Sequence, residues 1–389
     1  MTQVYLAGTG MIPFGSHPNR TGRDMFAEAG LDALDDAGIA PDDIDELYYG
    51  NFLGTISENQ GHQGPIMSEA IGATVPARCV ESACASGGVA IRDAVRAIRI
   101  GDADVVLAGG MERMSNMDTT EATDGLARAA DNLYEVRAGV TFPGAYALMA
   151  RAYFETFGGN REDLAHIAVK NHDNALVNDH AHLQREITVE EVLDAPRIAE
   201  PFGLYDACPI SDGAAALVLT SRAYAAKHDL DATVAITGSG HGGDTLALQD
   251  RPHLAKTPAT RTAAEEAYDD AAIEPTDVDF AEVHDCFTIA EVLALEGLGL
   301  YRPGGAIDAA RRGETCRDGN LPVNLSGGLK AKGHPVGATG VAQVIALKTL
   351  LEGVHPQSDA IDDTATIGIA QNAGGTVASA TVHVLEVIE

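Results

Sequence analysis

The sequence predicts an α/β protein built from two similar halves, with an extra segment set into the first. Three observations carry this. Strand-like and amphipathic helical stretches alternate along most of the chain. A block recurs: Asp36-Ala-Gly-Ile39-Ala-Pro41-Asp-Asp43-Ile-Asp45-Glu-Leu-Tyr-Tyr is echoed by Asp270-Ala-Ala-Ile273-Glu-Pro275-Thr-Asp277-Val-Asp279-Phe-Ala-Glu-Val, and Gly88-Val-Ala by Gly340-Val-Ala. Residues 115 to about 205 break the alternation with short helices and many polar residues. Residues 1–115 with 206–230 are therefore read as one half, 116–205 as an insertion capping the core, and 231–389 as the other half. The halves are expected to pack face to face, with a site where their loops meet.

Taken in order, residues 3–8 read as a strand, Arg23 to Ala37 as an amphipathic helix, Ile44 to Phe52 as a strand and Gly64 to Ile71 as a short helix. Gly8-Thr-Gly10 opens like a dinucleotide loop, but Pro13 interrupts it and the third glycine is absent. Cys79 to Ser82 reads as a short strand that turns into a helix running from Ala85 to about Ile100, and Val105–Gly109 as a buried strand. In the insertion, Tyr146–Phe157 and Arg161–Leu176 read as helices; His172, His180 and His182 lie without metal-ligand spacing and are expected to be solvated. Asp206 to Leu219 returns to a buried strand, Ala232 to Gly238 opens the second half, Asp279–Val283 is a strand, Gly340 begins a long helix, and Thr366–Gly375 echoes Val105–Gly110.

The net charge of −31 disfavours nucleic acid and anionic membranes as partners. The acid is spread over helix faces, only six basic residues are Lys, and Trp is absent. This composition resembles proteins of salt-loving organisms. No apolar run of about 18 residues predicts a membrane span, and the N-terminus lacks the basic region of a signal peptide. Five cysteines without regular spacing fit a reducing cytoplasm better than a disulfide framework or structural zinc.

Candidate chemistry gathers in four loops. Cys84 stands at a helix N-terminus among small residues, where amide N–H groups and the helix dipole favour a thiolate. His284-Asp-Cys286-Phe places two proton carriers at a strand end, and His334 lies in the glycine-rich loop Gly333-His-Pro-Val-Gly-Ala-Thr-Gly340. Gln371-Asn-Ala-Gly374-Gly375 offers exposed amides. If the halves are duplicates, Cys84 and His334 occupy related corners, and two-fold packing brings them together as an acyl-transfer site.

The motifs Cys84-Ala-Ser, Ser211-Asp-Gly-Ala-Ala-Ala, Gly333 to Gly340 and the C-terminal glycine loop resemble those of thiolases, over the whole chain. Within that family, His284-Asp-Cys-Phe, together with a C-terminal loop lacking cysteine, is similar to the sterol-carrier-protein-type and archaeal members. The resemblance implies the thiolase fold, two duplicated βαβ-rich domains layered α/β/α/β/α with an inserted loop domain. It implies Cys84 as nucleophile, His334 as its base, Cys286 as the second proton carrier and His284 near the thioester oxygen. The second oxyanion site is expected from the amide of Cys84 and one of Gly374 or Gly375. No cofactor or metal is implied; CoA is substrate. The capping segment is expected to bind CoA, with Arg137, Arg151 and Lys170 as candidates for its phosphates. A homodimer or homotetramer and a small zinc-ribbon/OB-fold partner subunit are further implications. Acetoacetyl-CoA formation for isoprenoid or polyester synthesis and ketoacyl-CoA cleavage would use the same residues. Two alternatives stand beside this: a ketoacyl-synthase-like enzyme using Cys84, His284 and His334, and a non-catalytic acyl-CoA-binding subunit.

Overall fold

Among the described residues nine strands join into one sheet whose order reveals the duplication. The computed structural model describes residues 3–230, 232–362 and 364–388. The first half runs β1 (Val4–Met11), α1 (Gly22–Ala37), β2 (Glu46–Gly50), α2 (Gly54–Ser57), α3 (Gln63–Ala70), β3 (Ala77–Val80), α4 (Ser86–Ile100) and β4 (Val105–Glu112). Between β4 and the return strand lie α5 (Thr119–Ala127), α6 (Phe142–Phe157), α7 (Arg161–Ala175), α8 (Val189–Asp194) and the small pair β5 (Arg197–Ala199) and β6 (Phe202–Gly203). The half closes with β7 (Gly213–Ser221) and α9 (Arg222–His228). The second half runs β8 (Val234–Gly243), α10 (Pro258–Ala271), β9 (Phe280–Glu282), α11 (Thr288–Gly297), α12 (Ala306–Arg311), α13 (Thr339–Leu351), β10 (Ile367–Gly374) and β11 (Ser379–Val387).

The sheet order is β3-β2-β4-β7-β1-β8-β11-β10-β9. Reading outward from β1 gives β7, β4, β2, β3; reading outward from β8 gives β11, β10, β9 and then Val323, which bridges Ala281. Pair senses match as well: β2 with β4 and β9 with β10 are parallel, so are β2 with β3 and the Ala281–Val323 bridge, and the remaining pairs in each half are antiparallel. By this register β3 and Val323 are equivalents, so the loops that follow them, carrying Cys84 and His334, are equivalents too.

Period-two alternation assigns the faces. Val105 and Leu107 of β4 pack with Met25, Phe26 and Leu34 of α1, while Val106 and Ala108 pack with Ile91, Val95 and Ile98 of α4. In the second half α10 covers one face and α13 the other. Helices α4 and α13 touch, forming the middle of five layers. The halves do more than face each other across this layer. Val4 pairs with Ile236 and Tyr5 with Ala235, so the two sheets are also joined edge to edge, a contact the repeat does not disclose.

Local differences from the sequence reading have simple causes. Strand β1 runs straight through Gly8-Thr-Gly10. A Cβ on Gly8 would sit 2.3 Å from the Ala33 carbonyl oxygen, and one on Gly10 2.1 Å from that of Ala29. These glycines admit α1 onto the strand rather than a phosphate. The expected strand Cys79–Ser82 falls earlier, at Ala77–Val80, because the turn consumes Ser82. The three histidines of the insertion are not solvated. His172 is buried, its Nδ1 donating to the Arg185 carbonyl (2.9 Å) and its Nε2 facing Lys330 Nζ (3.4 Å). His180 and His182 are half-buried, and His182 Nδ1 bonds Ser211 Oγ at 2.9 Å.

A buried polar network ties the insertion to the second half. Lys170 meets Glu291 at 3.0 Å, Asn171 donates to Asp285 (2.7 Å), and Asn174 and Asn178 donate to the carbonyls of Asn324 and Ser326. Asp285 also accepts the amides of Leu329 and Lys330 in a π-helical turn, Gly328–Lys332, just before His334. On the other side, Gly337 lies against the ends of β2 and β4. A Cβ on Gly110 would come within 1.9 Å of the Gly337 carbonyl oxygen. Gly110→Ala should therefore cost about 1–3 kcal/mol as overpacking, read as a lower urea midpoint; an unchanged midpoint contradicts this close approach.

Candidate active site

Cys84 projects from a strained turn between β3 and α4. Ala83 has φ 49°, in the left-handed region that costs an L-residue roughly 1–2 kcal/mol. The turn is held by Ser86, whose hydroxyl accepts the Ser82 amide (2.9 Å) and donates to the Ala83 carbonyl (2.6 Å), and by Glu81, which accepts the Ala83 amide (2.7 Å). Two backbone N–H groups approach the sulfur, those of Gly375 and of Cys84 itself. They favour the thiolate, as the helix N-terminus does. Burial is the larger effect and pushes the thiol up to about 12, so at neutral pH Cys84 is a thiol whose proton a base has to remove.

His334 arrives from the equivalent corner. Its loop is pinned by Glu112, a buried carboxylate at the end of β4 that accepts the amides of Phe52, Leu53 and Gly337 and the Asn51 side chain. Burial raises this carboxyl to about 7 despite those donors. The His334 ring has a defined proton. Thr339 Oγ1 donates to the Pro335 carbonyl (2.9 Å), so it must accept from His334 Nδ1 (2.6 Å). Nε2 is then a lone pair, and it is buried without a hydrogen-bond partner. Burial holds the imidazole down to about 3, hence neutral.

His284 is locked in the opposite tautomer. Asn372 accepts the Gly88 amide through Oδ1 (3.3 Å), so its NH2 faces His284 Nδ1 (3.1 Å). A ring nitrogen that accepts there leaves the proton on Nε2, which is also buried and without a partner. Burial and the neighbouring His334 keep this ring well below the usual histidine range. The two rings stand edge to face, 5.0 Å between centroids. Cys84 Sγ and one ring nitrogen from each histidine lie within 4.8 Å of one another. A single base, a single N–H donor and a thiol therefore converge.

Cys286 is buried, and its thiol is pushed well up by burial. It lies in hydrogen-bond reach of Tyr146, whose hydroxyl donates to the Gly375 carbonyl (3.0 Å). Cys84, Cys286, His334 and Gly375 line one cavity of about 170 Å³, walled by Phe52, Met114, Leu126, Phe142, Phe287 and Val336. Cys208 lines it too. Of the two candidate glycines, Gly375 presents its amide to the sulfur, whereas Gly374 packs against the Ser82 carbonyl.

The CoA candidates fare differently. Lys170 is excluded as a phosphate ligand: it is buried, bound to Glu291 and to the Val323 carbonyl (2.8 Å). Arg137 and Arg151 are exposed, and neither lines the cavity. Arg151 lies eight residues beyond Pro143, the cavity-lining residue at the start of α6, which is about 12 Å along a helix. Arg137 is the nearer in sequence to that wall. Sequence reasoning also passed over Thr339, Asn372, Glu112 and Tyr146. Thr339 and Asn372 stand inside motifs already noted and Glu112 two residues beyond the strand Val105–Gly110; Tyr146, on an insertion helix, carries no signal.

Residues 4–223 match the family description "Thiolase, N-terminal domain", and residues 240–387 match "Thiolase C-terminal domain-like". The chain belongs to the thiolase family. Among curated relatives, an acetyl-CoA acetyltransferase of Methanothermobacter thermautotrophicus is 40% identical over 99% of both chains, and one of Methanocaldococcus jannaschii 38% identical over 99% of both. Of solved structures, the Ltp2-ChsH2(DUF35) aldolase superposes with TM-score 0.83 at 24% identity, covering 99% of this chain and 98% of that one. The thiolase fold expected from the motifs is therefore present.

A neutral thiol–imidazole pair has a signature. With His334 far below its ordinary 6.5 and Cys84 far above 9.0, alkylation of Cys84 by iodoacetamide should show no step near pH 6.5 and should still be rising above pH 9.0. A plateau between these values would reveal a preformed thiolate–imidazolium pair and contradict the account.

Proposed function

We propose that this thiolase catalyses the reversible Claisen condensation of two acetyl-CoA molecules to acetoacetyl-CoA and CoA, and its reverse, thiolytic cleavage of 3-ketoacyl-CoA. The observation that carries the reading is the placement of the Cys84 thiol between a lone-pair imidazole and two backbone amides. In the cleavage direction, His334 Nε2 takes the Cys84 proton as the sulfur attacks the 3-keto carbon. That carbonyl oxygen, becoming an oxyanion, receives the amides of Cys84 and Gly375. The Cα–Cβ bond breaks, and the acetyl-CoA enolate oxygen lies between protonated His334 Nε2 and His284 Nε2–H. Cys286 gives its proton to the enolate carbon. The Cys286 thiolate then takes the proton of incoming CoA, whose sulfur attacks the acyl carbon. Cys84 leaves and recovers its proton from His334. Protons and electron pairs balance over the cycle without a cofactor. CoA is substrate throughout, with Arg137 proposed at its phosphates and the segment 116–205 proposed as its cap.

The chain forms a homo-oligomer. It takes a small partner subunit, a reading supported by its likeness to the Ltp2-ChsH2(DUF35) aldolase. Its five free cysteines fit a reducing cytoplasm and its charge of −31 a salt-rich cell, with a melting temperature that rises from low to molar KCl as repulsion is screened. A melting temperature insensitive to KCl would contradict the salt-rich cell.

The test follows acetoacetyl-CoA loss with CoA present. Cys84→Ala should abolish turnover. Cys286→Ala should lower it by about 10²–10⁴-fold, the usual worth of a positioned proton carrier. Full turnover in Cys286→Ala would assign the enolate proton elsewhere. An inactive wild type that still binds acetyl-CoA without acylation would favour an acyl-CoA-binding subunit.

A further inference from the structure

A buried thiol within 4.8 Å of one nitrogen from each of two imidazoles, whose Nε2 atoms have no partner among the described residues, is the donor set of a zinc-type site as much as of an acyl-transfer site. What separates the two is one proton. A soft divalent cation needs a lone pair on both rings. His334 Nε2 has one; His284 Nε2 does not, because Asn372 donates to the other side of its ring. Asn372 itself has no freedom to turn over. Its oxygen is claimed by the Gly88 amide, the third N–H of α4 and therefore without a carbonyl partner inside the helix. Gly340 presses on the same oxygen, since a Cβ there would lie 2.5 Å from it. The backbone of His284 is held by Gln371, which accepts its amide at 3.0 Å.

We propose that Asn372 is a positioning residue that fixes the His284 proton on Nε2, keeping the Cys84–His284–His334 trio an acyl-transfer site, and that its carboxylate variant converts the trio into a site for a soft divalent cation. The catalytic half of this inference rests on the reading in which His284 donates to the enolate oxygen; the tautomer and metal halves stand without it. Isosteric Asn372→Asp keeps an acceptor for Gly88 and turns the group facing His284 from donor to acceptor. The ring proton then moves to Nδ1, and Nε2 becomes a ligand.

Three measurements decide it. In wild-type chain labelled with 15N-histidine, NMR should show His284 protonated at Nε2; a proton on Nδ1 overturns the proposal, whether or not any variant folds. Titrated with Co2+, Asn372→Asp should develop a thiolate-to-cobalt charge-transfer band and visible ligand-field bands that vanish in Asn372→Asp/Cys84→Ala, while the wild type shows neither. Equal spectra for wild type and variant, or none for a variant with native circular dichroism, overturn it. Finally, metal-free Asn372→Asp should lose about 10²–10³-fold in kcat for thiolysis, the effect of one oxyanion donor, with acyl transfer from acetyl-CoA to Cys84 retained. Loss of both steps alike would mark Asn372 as merely structural. Failure of the wild type to acylate would sink the thiolytic reading and leave the NMR and cobalt outcomes to stand or fall by themselves.

Discussion

The structure depends on keeping a thiol and two imidazoles uncharged where they meet, buried in the protein. Burial in low dielectric opposes charge on each of them. Their chemistry is therefore set by where each proton sits, and that is decided by single hydrogen bonds behind the rings. Thr339 makes His334 a base. Asn372 makes His284 a donor. The amides of Gly375 and Cys84 wait at the sulfur for an oxygen that develops charge. Donors held in place before the reaction cost no reorganisation at the moment of charge development.

The duplicated fold supplies these contacts from opposite directions. Cys84 and His334 come from equivalent corners on either side of the α4–α13 layer, and the loops that hold them reach across it. Glu112, at the end of a first-half strand, grips the amide of Gly337 in the second half. Asn372, at the end of a second-half strand, grips the amide of Gly88 in the first. Asp285, beside the second cysteine, is fixed by Asn171 of the insertion and by the turn that leads to His334. Each half thus reaches into the other at the site, and the insertion fixes the residue beside Cys286.

Much of this was legible in the letters. The repeated Asp–Pro–Asp blocks foretold equivalent strands, and the small residues around Cys84 and the glycines around His334 foretold loops that approach closely. What was not legible was burial. Lys170 read as a surface cation because Glu291, its partner, lies 121 residues away. His172 read as solvated because Lys330 and Tyr205 close over it from other segments. The helix N-terminus argued for a Cys84 thiolate, and locally it was right, but the walls of the cavity belong to residues spread from Phe52 to Gly375. Tautomers were readable only where the partner was near. Thr339 stands five residues from His334 within one motif, whereas Asn372 stands 88 residues from His284.

The central claim is that Cys84, and no other thiol of the cavity, carries the acyl group. The most direct test mixes the chain with acetyl-CoA, quenches in acid within a turnover, and locates the acetyl group by peptide mass. The account predicts one acetyl group, on the peptide containing Cys84, absent from Cys84→Ala. An acetyl group on Cys208 or Cys286 in the wild type, or turnover of acetoacetyl-CoA with none on Cys84, would contradict it.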